Sequence, residues 1–191
     1  MYGADVGGKV LNMSLTTLKT TALNNVVAKA VNAGLTVVAA AGNYNKDAEY
    51  YSPASEPLVL TIASIAVTDT KAGNSNWGQC MVSPIRPTFL LQFGKPSANG
   101  NKIGVDLFAP GVGITSDWFE PGNTGTKTIS GTSMATPHVA GLALTLIAKD
   151  PAKYNNPAAI RKTIIDLAQK NSRVLPPVPQ GTTTLLGFNG L

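Results

Sequence analysis

The residues of this chain that could carry out chemistry are concentrated in one segment, residues 130–141, which reads Ser-Gly-Thr-Ser-Met-Ala-Thr-Pro-His-Val-Ala-Gly. Gly131 allows a tight turn, and Ser133 then falls in the first turn of a predicted helix. Backbone N–H groups in a first turn have no acceptor within the helix, and the helix dipole favours negative charge there. The position suits a nucleophile, although a serine before a helix more often serves only as its N-cap.

A nucleophilic serine needs a base, and the chain offers two candidates. His138 is the only histidine in the sequence, but on a helix it lies about 140° around the axis from Ser133 and faces away from it. We therefore interpret His138 as a packed, hydrogen-bonded structural residue. Lys127 is interpreted as a surface residue of a Gly/Thr loop. Pro137 is expected to be tolerated because it falls where the helix has no donor to lose.

The elements that must position Ser133 alternate between strands and helices. Residues 9–15 predict a short strand, and residues 21–33 an amphipathic helix that ends at Gly34. The continuous apolar run 35–41 is typical of a strand buried on both faces of a parallel sheet, so a right-handed βαβ unit is expected. Further strands are predicted at 58–67 and 105–108, and further helices at 132–149 and 157–170.

Several stretches together resemble the subtilisin-like serine proteases, or subtilases. Residues 131–141 match the family's nucleophile segment residue for residue, residues 40–43 (Ala-Ala-Gly-Asn) match its oxyanion segment, and residues 12–15 (Asn-Met-Ser-Leu) are similar to the strand bordering its substrate cleft. Residues 51–57 and 106–111 resemble the proteinase K-like branch. The resemblance implies an α/β fold, with the three-layer, mostly parallel sheet of the subtilisin type, incomplete at the N-terminal side.

The resemblance also implies roles for single residues in the hydrolysis of protein or peptide substrates. Ser133 would be the nucleophile that forms an acyl-enzyme, and the Asn43 side chain would stabilise the oxyanion together with the Ser133 N–H. Without this context Asn43 would be interpreted as a turn residue after glycine. The substrate cleft would be lined by Ser14, Leu15, Ala39, Ala40, Ala41 and Gly42.

Two features implied by the resemblance concern the substrate pocket and a metal. Small residues in the cleft leave room for a bulky apolar side chain, but Thr16-Thr17 stand where the family usually has Gly-Gly and narrow the cleft edge. The chemistry itself requires no cofactor. A structural Ca²⁺ is implied at Pro57, Val59 and Asp106, the first two through carbonyls and the third through its carboxylate.

The family's catalytic Asp and His segments, typically Asp-Thr-Gly and His-Gly-Thr, precede the strand that corresponds to residues 9–15. Nothing before Lys9 resembles either segment. We therefore expect this chain to be inactive and poorly soluble on its own. The alternatives are a non-catalytic relic that binds peptides along residues 12–15 and, more weakly supported, a nucleotide-binding module at Gly111-Val112-Gly113, which lacks a third glycine and a helix start.

Residues 81–104 interrupt the resemblance, because joining Cys80 to Val105 restores a family-like sequence. Val82-Ser83 can be encoded by a 5′ splice donor, and Ala98-Asn99 can be encoded across a lariat branch sequence. A retained intron explains both features, and a genuine surface insertion is the alternative.

The composition indicates one globular domain and excludes several classes of function. Apolar residues make up 43% of the 191 residues and charged residues 13%. The net charge of +5 is scattered, and aromatics are only 6%, so we expect no nucleic-acid binding. The single cysteine, Cys80, excludes an intrachain disulfide. No membrane contact is expected, and the family implies a secreted monomer, although no signal peptide is visible.

Overall fold

The computed structural model describes residues 7–78, 104–119, 124–171, 174 and 176–187. Its strands are β1 (Val10–Met13), β2 (Thr17–Leu18), β3 (Thr36–Ala40), β4 (Tyr51–Ser52), β5 (Leu60–Ile65), β6 (Leu107–Pro110), β7 (Ile114–Trp118) and β8 (Gly125–Ile129). Its helices are α1 (Thr21–Asn32), α2 (Thr132–Lys149) and α3 (Pro157–Asn171), with a short 3₁₀ turn at Ala48–Tyr50.

The centre of the fold is a parallel four-stranded sheet in the order β1-β3-β5-β6. Every residue of β3 and β5 is buried, as expected for strands covered on both faces. The prediction of an α/β fold with a mostly parallel sheet is therefore confirmed. The predicted strands 9–15, 35–41 and 58–67 are each shortened to their paired central residues, and the strand predicted at 105–108 begins two residues later.

Helices cover both faces of this sheet and give it three layers. Because successive side chains of a strand point to opposite faces, Val38 packs with α2 and α3, whereas Val37 and Ala39 pack with α1. The main core joins the sheet to buried residues of α2 and α3, among them Ala135, Val139, Ala143, Ile160 and Ile164. The sheet therefore holds the N-terminus of α2 close to the carboxyl ends of β1 and β3.

The three helices match their predicted positions to within one residue at each end. Helix α2 spans the predicted residues, and Gly34 ends α1 with a left-handed φ of +97°. Pro137 was expected in the first turn of α2, where no backbone donor is lost. This prediction was wrong, because α2 begins at Thr132 and Pro137 lies in its interior. None of the helices in the described ranges is long and apolar enough to cross a membrane.

Two antiparallel pairs were not predicted, β2 with β4 and β7 with β8. Strands β7 and β8 are mostly exposed and consist largely of Thr, Ser, Asp and Lys. They therefore lack the apolar alternation that marks a half-buried strand. The hairpin places Gly111-Val112-Gly113 before a strand and not before a helix, which contradicts the nucleotide-binding alternative.

Candidate active site

Ser133 lies at the second residue of α2, as predicted, where its backbone N–H has no acceptor within the helix. The N-cap is Gly131, with a φ of +157° that disfavours other residues. A Cβ at this glycine would lie 3.1 Å from Asn43 Nδ2. The Gly131 backbone therefore allows the Asn43 amide to approach the start of the helix closely.

Asn43 caps the helix from a separate loop. Its Oδ1 accepts hydrogen bonds from the Thr132 N–H at 2.9 Å and the Thr132 hydroxyl at 3.0 Å. The same hydroxyl accepts the Gly42 N–H at 3.2 Å. With Oδ1 used in this way, the orientation of the amide is fixed and Nδ2 is left as the outward donor of an exposed side chain. The structure thus brings Asn43 and Ser133 together at the start of α2.

The loop that carries Asn43 is held by Asn76, which is fully buried. Asn76 Oδ1 accepts the N–H groups of Tyr44 at 2.9 Å and Lys46 at 3.0 Å, and its Nδ2 donates to the Ala41 carbonyl at 2.8 Å. Gly42 adopts a φ of +106°, and a Cβ there would lie 2.5 Å from Asn76 Nδ2. The role of Asn76 could not be predicted from the sequence, because an asparagine among Gly, Asn and Ser indicates only a turn.

Ser133 and Ser14 exchange two hydrogen bonds. The Ser133 hydroxyl donates to the Ser14 carbonyl at 3.1 Å, and the Ser14 hydroxyl donates to the Ser133 carbonyl at 2.8 Å. The second bond compensates for Pro137, which has no N–H to offer the carbonyl four residues before it. Ser14 therefore ties the end of β1 directly to the predicted nucleophile.

Neither candidate base is hydrogen-bonded to Ser133. His138 Nδ1 lies 2.9 Å from the Met134 carbonyl, so the predicted hydrogen bond is present. The prediction of packing was wrong, because the imidazole is exposed. Lys127 lies on β8, with its ammonium 4.2 Å from the centre of the Trp118 ring. Within the described ranges, Ser133 Oγ makes its hydrogen bond to a carbonyl and not to a base.

An open pocket of about 380 Å³ borders Ser133 between α2 and the β7–β8 hairpin. It is lined by Ile114, Thr115, Ser116, Ser133, Met134, Pro137 and His138. Ser133 therefore borders open space on this side of α2.

The predicted cleft residues lie on two neighbouring stretches of the chain, here called walls. One wall follows β1, and the other is formed by the end of β3 and the residues after it. Ser14 and Leu15 continue β1, with Leu15 49% exposed, whereas Ala39, Ala40 and Ala41 are fully buried. The alanine side chains therefore pack in the core, and only their backbone edge can face a substrate. Thr16 bridges the walls, because its hydroxyl lies 3.4 Å from the Ala40 carbonyl and its methyl group 3.0 Å from a Cβ built on Gly42.

Two of the three residues predicted to bind Ca²⁺, Pro57 and Asp106, already bind a cation of the chain itself. Arg161 Nη1 donates to the Pro57 carbonyl at 2.7 Å, and Nη2 donates to Asp106 Oδ1 at 2.6 Å. Val59 is buried. Within the described ranges there is no group of three or more His, Cys, Asp or Glu side chains that could hold a metal. As arranged, Pro57, Val59 and Asp106 do not fit a calcium site.

Two predictions fall on parts of the chain that the structure does not describe. The segment 81–104 lies outside the described residues except for Gly104, and so do residues 1–6. The intron hypothesis therefore stays a prediction.

Comparison with known proteins gives a consistent result. Residues 2–184 match Peptidase_S8, the subtilase family. An extracellular serine proteinase of Thermus sp. is 46% identical over 134 residues, covering 70% of this chain and 27% of that protein. A cuticle-degrading protease of Metarhizium anisopliae is 39% identical over 183 residues, covering 96% of this chain and 39% of that protein.

The solved structures agree with the sequence relatives. The crystal structure of a cold-adapted subtilisin-like serine proteinase superposes with a TM-score of 0.73 at 34% identity, covering 97% of this chain and 57% of the other. The chain thus spans only 27% and 39% of the length of the two curated relatives.

Proposed function

The chain belongs to the subtilase family, and on this premise we propose that it carries the nucleophile and oxyanion parts of a serine endopeptidase. Ser133 Oγ attacks the carbonyl carbon of a peptide bond, and the tetrahedral oxyanion that forms is stabilised by Asn43 Nδ2 and the Ser133 N–H. One observation supports this assignment most strongly. Thr132 holds Asn43 Oδ1 at 2.9 and 3.0 Å and so orients the amide as a donor beside Ser133.

The Ser133 hydroxyl must also lose its proton during the attack. Attack requires a base that accepts this proton, and an acid that orients the base. In the described part of the chain, His138 contacts the Met134 carbonyl and Lys127 the Trp118 ring, and neither is hydrogen-bonded to Ser133. We therefore expect that the 191-residue polypeptide alone does not hydrolyse peptides. A longer product of the same gene would have to supply the Asp and His segments of the family.

The gene itself supplies the test. We expect a transcript read from upstream of Met1 through Val105 to encode Asp and His segments and to lack the codons for residues 81–104. The product of that transcript should hydrolyse a peptide substrate, and its Ser133→Ala variant should not. A product that carries both segments and does not depend on Ser133 would overturn the proposal.

Secretion and a monomeric state belong to the same proposal. The Thermus relative is named an extracellular proteinase, which supports secretion of this chain. If the transcript matches the chain as written, the alternative is a non-catalytic protein that binds peptides along residues 12–15. Peptide binding without turnover would then be the expected result.

A further inference from the structure

A largely buried ion pair joins Arg161 of α3 to Asp106, just before β6. Asp106 is 2% exposed, whereas the Arg161 side chain is 30% exposed. The carboxylate is bound on both sides, because Oδ2 accepts the Thr61 N–H at 2.8 Å while Oδ1 accepts Arg161 Nη2 at 2.6 Å. A buried carboxylate of this kind needs a cation, since an isolated charge is very costly to remove from water.

Arg161 also reaches a main-chain oxygen from the other side of the same site. Its Nη1 donates to the Pro57 carbonyl at 2.7 Å. The planar guanidinium carries several donors in a fixed arrangement, so one group satisfies a carboxylate and a carbonyl at once. Helix α3 is thereby attached to the loop before β5 and to the start of β6.

A calcium ion would compete for these same oxygens. Ca²⁺ requires six to eight oxygen ligands at roughly 2.3–2.6 Å, and here a carbonyl and a carboxylate oxygen are at hydrogen-bond distance from a permanent positive charge. A dication placed between them would be repelled by the guanidinium. We propose that Arg161 replaces the metal as a built-in cation, so that this part of the fold is independent of Ca²⁺.

Thermal unfolding of the 191-residue chain in excess Ca²⁺ and in excess chelator tests the idea. We expect the same Tm in both conditions for the wild type and for Asp106→Asn. A calcium-dependent rise in Tm that is present in the wild type and lost in Asp106→Asn would overturn the proposal.

Substitution of the arginine gives the complementary test. Arg161→Ser should lower the Tm by about 5 °C or more, because it removes a cation that is bound to a buried carboxylate, and added Ca²⁺ should restore part of the loss. Arg161→Lys keeps the positive charge. Its Tm should lie between those of the wild type and Arg161→Ser and should not change when Ca²⁺ is added. The matched control is Lys162→Ser, at the next position of α3, whose ion pair with Asp166 is exposed and whose Tm should barely change. An Arg161→Ser variant as stable as this control would contradict the proposal.

Discussion

Ser14 and Ser133 each donate a hydrogen bond from the hydroxyl to the other's backbone carbonyl, although they lie 119 positions apart in the chain. The bond from Ser14 is 2.8 Å long and the bond from Ser133 is 3.1 Å. The arrangement depends on Pro137, which cannot donate to the Ser133 carbonyl from within the helix. A proline that would weaken an ordinary helix is therefore accommodated by a side chain from β1. The same contact fixes the position of the proposed nucleophile relative to the sheet.

Removing the Ser14 hydroxyl should destabilise the chain. Ser14→Ala leaves the Ser133 carbonyl without this donor, and we expect a loss of about 1 kcal/mol in the free energy of unfolding, or a Tm lower by about 2–4 °C. Thr145→Ala is the control, since the Thr145 hydroxyl also donates to a carbonyl of α2, that of Gly141. If the two variants unfold at the same temperature, Ser14 does not have the role described.

Asn43 offers a way to separate folding from catalysis in a longer product that carries the Asp and His segments. Asn43→Asp keeps acceptors for both Thr132 contacts but removes the Nδ2 donor. Turnover should fall by about 100- to 1000-fold, the magnitude known for loss of the oxyanion asparagine in subtilisin itself, with the Tm nearly unchanged. Tyr44→Phe, which keeps the ring stacked on Tyr51, should retain activity. Full activity of Asn43→Asp would refute the oxyanion assignment.

The bridge formed by Thr16 predicts a preference for small side chains before the scissile bond. In the same longer product, we compare kcat/KM for a peptide with Phe at this position with kcat/KM for the corresponding Ala peptide. Thr16→Gly should raise this Phe-to-Ala ratio by at least about 10-fold. The change opens the space between the Ser14–Leu15 wall and the Ala40 carbonyl. Thr17→Gly is the neighbouring control, because Thr17 is exposed and pairs with Ser52. Equal Phe-to-Ala ratios of kcat/KM in the wild type, Thr16→Gly and Thr17→Gly would show that Thr16 does not limit the pocket.

Glu56 predicts a pH dependence of stability. Burial raises the pKa of its carboxyl, and this effect exceeds the opposing influence of the hydrogen bond from the Leu58 N–H. The pKa of the Glu56 carboxyl is therefore higher in the folded chain than in the unfolded chain. The stability that the protonated carboxyl contributes is fully present below the unfolded pKa and is lost as the pH rises through the folded pKa.

Glu56→Gln should therefore raise the Tm at pH 8 and leave it unchanged near pH 4. The glutamine keeps an oxygen for the Leu58 N–H. Glu49→Gln, at a half-exposed position, should have little effect at either pH. A Glu56→Gln variant less stable than the wild type at pH 8 would show that the ionised carboxylate is favoured in the fold.

The parts of the fold that could be predicted from sequence are those with a local signal. The apolar run that forms β3 and the glycine before α2 define their elements without reference to the rest of the chain. Strands β7 and β8 could not be predicted, since their pairing is between exposed polar residues. Asn76 and Arg161 act through partners 30 or more positions away. Such contacts arise only when the chain is folded, and no local pattern encodes them.

Labelling of Ser133 by a fluorophosphonate tests the central claim most directly, since such probes react only with an activated serine. The experiment compares the pure 191-residue chain with its Ser133→Ala variant. We predict equal background labelling of the two proteins, because in the described part of the chain the Ser133 hydroxyl is hydrogen-bonded to the Ser14 carbonyl and not to a base. Rapid labelling of the wild type, absent in Ser133→Ala, would contradict the account and show that this polypeptide activates its own nucleophile.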